Sequence, residues 1–236
     1  MKINFYSILP EVFPGFLGTS LTGKALKDAK WNYDVINIRD YALDVHKSVD
    51  DTPCGGGAGM VMRADILGSA IKANHKKGRL VYLSPRGRTF NQEVAKELAK
   101  EEEISFICGR FEGVDQRVLD AFEVEELSIG DYVLTGGDQA ALIVCDAVIR
   151  LLPSVLGNSA SIENESFENF LLEHHQYTRP VEWDGQKVPE ILFSGHHKNI
   201  NDFRHQQSLN ITKQKRPDLY KKYLDFIEST DYKNGK

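Results

Sequence analysis

The 236-residue chain is 41% hydrophobic and 27% charged, an ordinary balance for a soluble globular protein with enough apolar residues for a sizeable core. No apolar run approaches the ~20 residues a membrane helix needs, and the start, Met1-Lys2-Ile3-Asn4-Phe5-Tyr6, reads as a first strand rather than a signal peptide. Three scattered cysteines (Cys54, Cys108 and Cys145) suit a reducing cytoplasm and offer no disulfide framework, and a net charge of −5 argues against a generic nucleic-acid binder.

Residues 3–9 and 33–38 read as strands. Next comes Gly55-Gly56-Gly57-Ala58-Gly59-Met60, where four glycines in five residues disfavour helix and strand alike; a mobile loop able to lie against a ligand is expected. Across 64–77 the residues Ile66, Leu67, Ala70 and Ile71 recur with helical period. A short buried strand at 80–83 is broken by Pro85 and Gly87, and a helix follows over 91–101. The pattern continues with a strand at 104–108, a helix near 114–122, extended segments at 124–129 and 133–134, and a long apolar helix over 139–152 stopped by Pro153. Such alternation predicts a parallel sheet covered on both faces.

Past Pro153 the character changes. Residues 157–166 are rich in Ser, Asn and Glu and read as a linker, while 198–215 and 217–232 read as two helices of a small appended domain. From 196 to 236 nine Lys/Arg stand against five Asp/Glu, a tail of +4 on a body of −9. That end can touch a phosphate backbone, and a solvated helical face has the same composition.

Three glycine-bearing loops begin where predicted strands end: Ser84-Pro85-Arg86-Gly87, Cys108-Gly109-Arg110-Phe111-Glu112-Gly113, and Ser128-Ile129-Gly130-Asp131-Tyr132-Val133-Leu134-Thr135-Gly136-Gly137. Ligands of open α/β sheets sit at the carboxyl ends of strands, and glycines there let main-chain amides approach closely, so the loops are expected to form one pocket. Neither G-x-x-x-x-G-K-[ST] nor a strand-to-helix G-x-G-x-x-G is present, so phosphate cradling is not its use. Glu112 suits a cationic group such as an α-ammonium, or is simply a solvated loop carboxylate. The pairs His174-His175 and His196-His197 lack H-E-x-x-H or any other metal pattern, and no G-x-S-x-G elbow is present.

These loops closely resemble those of the tRNA (guanine-N1)-methyltransferase family. So do Pro53-Cys54-Gly55-Gly56-Gly57-Ala58-Gly59-Met60, Val155-Leu156-Gly157, Tyr177-Thr178-Arg179-Pro180 and Ser194-Gly195-His196-His197, in order across essentially the whole chain. The resemblance implies an α/β SPOUT domain over 1–157 with a deep trefoil knot at about 82–140, a flexible linker over 158–175, and a mostly helical tRNA-binding domain over 176–236. Chain-topology rules alone would not have found a knot, since knots are nearly absent from proteins. It further implies an obligate cytoplasmic homodimer with active sites at the subunit interface, and S-adenosylmethionine bound at Tyr82, Leu83, Ser84, Pro85, Gly109, Phe111, Glu112, Gly113, Ser128, Ile129, Gly130, Asp131, Tyr132, Val133, Leu134, Gly136 and Gly137. Substrate tRNA falls to Gly55, Gly57, Gly59, Ser166, Arg179 and His196, and a magnesium ion is admitted in catalysis although no metal ligands are assigned.

The reaction the resemblance implies needs a base for the proton on guanine N1 and a cation for the charge that then spreads onto O6. By position, Arg150 matches the family's arginine and Glu165 falls where the family carries an aspartate, with Glu163 as the alternative base. Glutamate is one methylene longer, and misplacements of ~1 Å can cost ~10²-fold. Cys54, Phe111 and Ala140 replace the family's usual tyrosine, tyrosine and proline. A knotted methyltransferase with another target base, or a non-catalytic cofactor-binding RNA module, are the alternatives at this point.

Overall fold

In chain order the computed structural model, which describes residues 1–156 and 165–234, first runs β1 (Lys2–Ser7), α1 (Ser20–Lys27), β2 (Asn32–Asn37), β3 (Asp50–Asp51), β4 (Val61–Met62) and α2 (Ala64–Asn74). It continues through β5 (Arg79–Thr89), α3 (Gln92–Leu98), β6 (Glu103–Ile107), α4 (Gln116–Ala121), β7 (Glu125–Ser128) and α5 (Gly137–Ile149). Five of these strands form a parallel sheet in the order β2-β1-β6-β5-β7. The α/β class and the parallel sheet are as the alternation predicts.

The sheet is covered on both faces, and strand parity assigns residues to each. Along β5, Val81 and Leu83 enter one apolar cluster while Leu80 and Tyr82 enter the other. In β6, Ile104 and Phe106 join the first and Ile107 the second. The first cluster takes Val94 and Leu98 of α3 and Ala141, Val144, Val148 and Ile149 of α5; the second takes Ile66, Leu67 and Ile71 of α2 and Val118 and Leu119 of α4. Phe5 lies stacked on Phe13 at 4.1 Å between ring centres and is fully buried; burial of such a side chain contributes ~1.5–3 kcal/mol.

Sequence reading did not anticipate α1. Its interior Gly23 weakens helix propensity, yet a Cβ there would stand 2.3 Å from the Gly18 carbonyl oxygen, so close chain approach requires the glycine. Trp31, fully buried, donates its indole N–H to the carbonyl of Thr22 in that helix at 2.9 Å. β5 is longer than the expected 80–83 because the chain pairs twice with β7. Leu83 and Arg88 both register against Leu127, and Ser84–Gly87 loops out between them. A Cβ on Gly87 would lie 2.3 Å from main-chain atoms of Glu126 and Leu127, so only glycine lets the strand close back on its neighbour.

Two compact units divide the chain, Met1–Gly157 and Asn158–Lys236. The second contains a hairpin of β8 (Glu182–Trp183) and β9 (Gln186–Lys187), then α6 (His197–Lys215) and α7 (Pro217–Asn234). Its turn residues Asp184 and Gly185 have φ of 49° and 73°, as a tight Asp-Gly hairpin turn demands. That dipeptide was the signal for the hairpin, although sequence reading assigned only helices here. Pro217 opens α7, where its missing N–H costs nothing. Within this unit Thr212 is buried and its hydroxyl accepts from the Leu172 amide at 2.8 Å, while Phe170 and Phe226 meet edge-to-face at 5.8 Å. The expected linker at 158–175 lies partly outside the described residues, as does Glu163; its described part carries a short 3-10 turn at Glu168–Phe170.

Candidate functional site

β6, β5 and β7 are neighbours in the sheet; two of the glycine-bearing loops follow β6 and β7, and the third, Ser84–Gly87, loops out of β5 beside the Leu127 end of β7. They enclose a cavity of about 240 Å³. Of the sequence-predicted cofactor residues, Tyr82, Leu83, Ser84, Pro85, Gly109, Phe111, Glu112, Gly113, Ile129, Gly130, Tyr132, Val133, Leu134, Gly136 and Gly137 line it. Ser128 and Asp131 do not; Ser128 is buried behind the wall, where its hydroxyl accepts from the Gly130 amide at 3.2 Å. Arg110, Leu127, Thr135 and Ala140 also line the cavity and are not among the sequence-predicted cofactor residues. Arg110 was legible, standing inside the quoted motif as its sole cation, whereas the other three carry no chemical signal.

Glycine forms this wall because side chains would fill it. A Cβ on Gly109 would stand 2.6 Å from Tyr82 Cε2, and one on Gly130 2.8 Å from Tyr132 Cε1. The loops are stitched by main chain, Gly137 donating its amide to the Gly109 carbonyl at 2.8 Å. Phe111 holds a left-handed φ of 59°, a conformation costly for a residue with a side chain and found preferentially at functional loops. Burial pushes the Tyr82 phenol up from its ordinary range, keeping it neutral. The thiols of Cys108 and Cys145 are pushed well up by burial too, which disfavours the thiolate at both.

The fourth glycine cluster reaches this site through Glu112. β3 and β4 resume regular structure on either side of it. The Glu112 amide donates to the Met60 carbonyl at 2.9 Å, and Met62 bridges to Val114. A Cβ on Gly59 (φ 84°) would lie 2.3 Å from Glu112 Oε1, so Gly59 sits directly against that carboxylate. Gly55 and Gly57 have φ of 90° and 126° but no close neighbour on their Cβ side beyond Pro53 at 3.8 Å from Gly57; a left-handed backbone alone calls for glycine there.

Arg150 caps the end of α5, half-buried, its amide donating to the Asp146 carbonyl at 3.2 Å. The remaining predicted residues belong to the second unit. Glu165 is half-buried and its carbonyl accepts from the Glu168 amide at 3.2 Å. Ser166 accepts the Glu173 amide on its hydroxyl at 3.0 Å. Arg179 is exposed and lines a separate concavity of about 340 Å³ with Tyr177, Phe203 and Arg204. His196 is exposed and caps α6. Among the described residues, no three or more His, Cys, Asp or Glu side chains stand together as a metal site, and no helix is long and apolar enough to cross a membrane.

Residues 1–222 match the family model of the tRNA (Guanine-1)-methyltransferase TrmD. The chain belongs to the tRNA (guanine-1)-methyltransferase family. It is similar to the tRNA (guanine-N(1)-)-methyltransferase of Bartonella henselae, 55% identical over 217 residues covering 92% of this chain and 94% of the relative. The Wolbachia pipientis wMel protein of the same name is 54% identical over 223 residues, covering 92% and 94%. That of Rhizobium etli is 53% identical over 237 residues, covering 99% of each. This methyltransferase is accordingly an enzyme of tRNA methylation, and the alternatives of a different target base or a non-catalytic module fall away.

Proposed function

We propose that the enzyme moves a methyl group from S-adenosylmethionine, held in the three-loop cavity, to N1 of the guanosine 3′ of the tRNA anticodon (position 37). The observation that carries this reading is the convergence of loops from three adjacent strands on one cavity walled by glycine main chain. When bound, S-adenosylmethionine supplies a sulfonium-activated methyl. Main-chain groups of the β5, β6 and β7 loops hold the adenosine part by shape and hydrogen bonding, and the Glu112 carboxylate meets the ammonium of the methionine end.

Glu165 serves as general base, taking the N1 proton, while Arg150 neutralises the charge developing on O6. Gly55, Gly57, Gly59, Ser166, Arg179 and His196 are proposed to contact tRNA. The aromatic and arginine lining of the concavity around Arg179, and the +4 tail, support a tRNA-binding role for the second unit. Also proposed are the trefoil knot at about 82–140, a cytoplasmic location, and a homodimer with shared active sites; exposed Val133 beside the cavity supports the last. A magnesium ion in catalysis is proposed as well, with no step assigned to it; among the described residues Glu112 is the one carboxylate lining the cavity.

Incubation of the enzyme with methyl-labelled S-adenosylmethionine and an unmodified tRNA transcript, then nucleoside analysis and mapping, tests this. Label in 1-methylguanosine next to the anticodon is expected; label in another nucleoside or position would refute it.

A further inference from the structure

Asp138, in the first turn of α5, is the one fully buried carboxylate among the described core residues. Its Oδ1 accepts from the Ser7 hydroxyl at 2.5 Å, but Oδ2 is buried with no hydrogen-bond donor among the described residues. The nearest cation is Arg110, whose Nη1 stands 3.9 Å from Oδ2. Burial pushes the Asp138 carboxyl up from its ordinary range, the cost of keeping a carboxylate inside the fold.

Arg110 lines the cofactor cavity, and its path there is made by a glycine. A Cβ on Gly136 would stand 2.4 Å from Arg110 Cδ and 2.6 Å from Nη1. Gly136 has φ of 177°, an extended backbone that any residue adopts, so the arginine side chain rather than backbone geometry demands the missing Cβ. Asp138 therefore draws the guanidinium from one side, and Gly136 leaves the groove in which it lies. At 3.9 Å the pair is too long for a direct hydrogen bond, so the planar fork of N–H donors stays available to a ligand in the cavity.

We infer that Arg110 receives the carboxylate of the cofactor's amino-acid end and that Asp138 is the positioning residue that holds it there. The inference rests on the proposed cofactor reading. That end of S-adenosylmethionine is a zwitterion, and the cavity answers with an anion at Glu112 and a cation at Arg110, two residues apart on one loop. A guanidinium pairs with a carboxylate bidentately, which orients the tail as well as holding it.

Calorimetric titration of the full-length enzyme with S-adenosylmethionine and with its decarboxylated analogue tests the assignment. The analogue keeps sulfonium and ammonium and lacks only the carboxylate. Wild type is expected to prefer S-adenosylmethionine by ~10- to 100-fold, the range for hydrogen bonds to a charged group. Arg110→Gln, Asp138→Asn and Gly136→Ala should each collapse that preference toward one while leaving affinity for the analogue near its wild-type value. Gly136→Ala keeps the test sound if Asp138→Asn unfolds, because only the flexible end of Arg110 must move to admit its methyl. A wild type that binds both molecules equally overturns the carboxylate assignment. A preference lost in Arg110→Gln but kept in Asp138→Asn and Gly136→Ala overturns the positioning role. A wild type that binds neither removes the cofactor reading itself, and this inference with it.

Discussion

Gly109 lies against the ring of Tyr82 so closely that a Cβ on Gly109 would stand 2.6 Å from Cε2 and 3.0 Å from the hydroxyl oxygen. Tyr82 lies in β5 and Gly109 in the loop that follows the adjacent β6, and both line the cavity. Tyr82 is buried, so its ring has little room to yield, and Gly109→Val should push the ring and the added methyls into the cavity. We expect a folded protein, checked by its circular dichroism, whose affinity for S-adenosylmethionine falls at least ~10-fold by calorimetry. Unchanged affinity would place the cofactor elsewhere.

Gly59 and Gly55 separate backbone strain from contact. Both have left-handed φ, at 84° and 90°, but only Gly59 abuts Glu112; Gly55 has nothing within 4 Å of its Cβ position. Gly59→Ala and Gly55→Ala should each lose ~1–2 kcal/mol of stability from backbone strain. Gly59→Ala alone should also weaken cofactor binding, by dislodging the Glu112 carboxylate. Thermal melts together with cofactor titrations of the two variants decide the matter, and equal effects on binding would detach Glu112 from the ligand.

As the proposed base and cation, Glu165 and Arg150 act mainly in the transition state, so Glu165→Gln and Arg150→Ala should lower kcat far more than they raise KM for tRNA. For Glu165→Gln the loss should be ~10²-fold or more, the scale of general-base catalysis, with cofactor affinity retained. Glu165→Asp should stay active. Single-turnover methylation with saturating cofactor measures both quantities, and a near-normal rate in Glu165→Gln would pass the role to Glu163 or to solvent.

The proposed sharing of active sites between subunits predicts that activity follows assembly. Sedimentation velocity across the assay concentrations, run alongside specific activity, should show methylation falling as dimer gives way to monomer. A fully active monomer would contradict the shared site.

In the second unit the Arg216 guanidinium, hydrogen-bonded to Asp218 at 2.9 and 2.6 Å, holds that carboxyl down to about 2. A depressed carboxylate stabilises the fold above its unfolded value near 3.8, and that contribution fades as pH falls toward 2. Carboxyl-carbon NMR should find the Asp218 midpoint near 2, returning to ~3.9 in Arg216→Gln. Because Asp218 is solvent-exposed, the Arg216→Gln melting temperature at neutral pH should scarcely move.

Much of the fold and the main cavity was legible from sequence, because both are written in local signals. The apolar period of 64–77 and 139–152 marks α2 and α5, and strands 80–83 and 104–108 show themselves as short buried runs between breakers. Glycines at the strand ends marked three loops, and parallel-sheet geometry then implied one pocket, since side-by-side strands deliver their carboxyl ends to one edge. What the sequence left open depends on contacts between residues far apart along the chain. Gly23 reads as a helix breaker until Gly18 is seen beneath it, and Gly87 as a turn until β5 is seen to pair twice with Leu127. Asp138 reads as an ordinary helix-start acid. Only the folded chain buries it between Ser7, 131 residues away, and Arg110, because desolvation and charge pairing act through space and leave no period or spacing in the sequence.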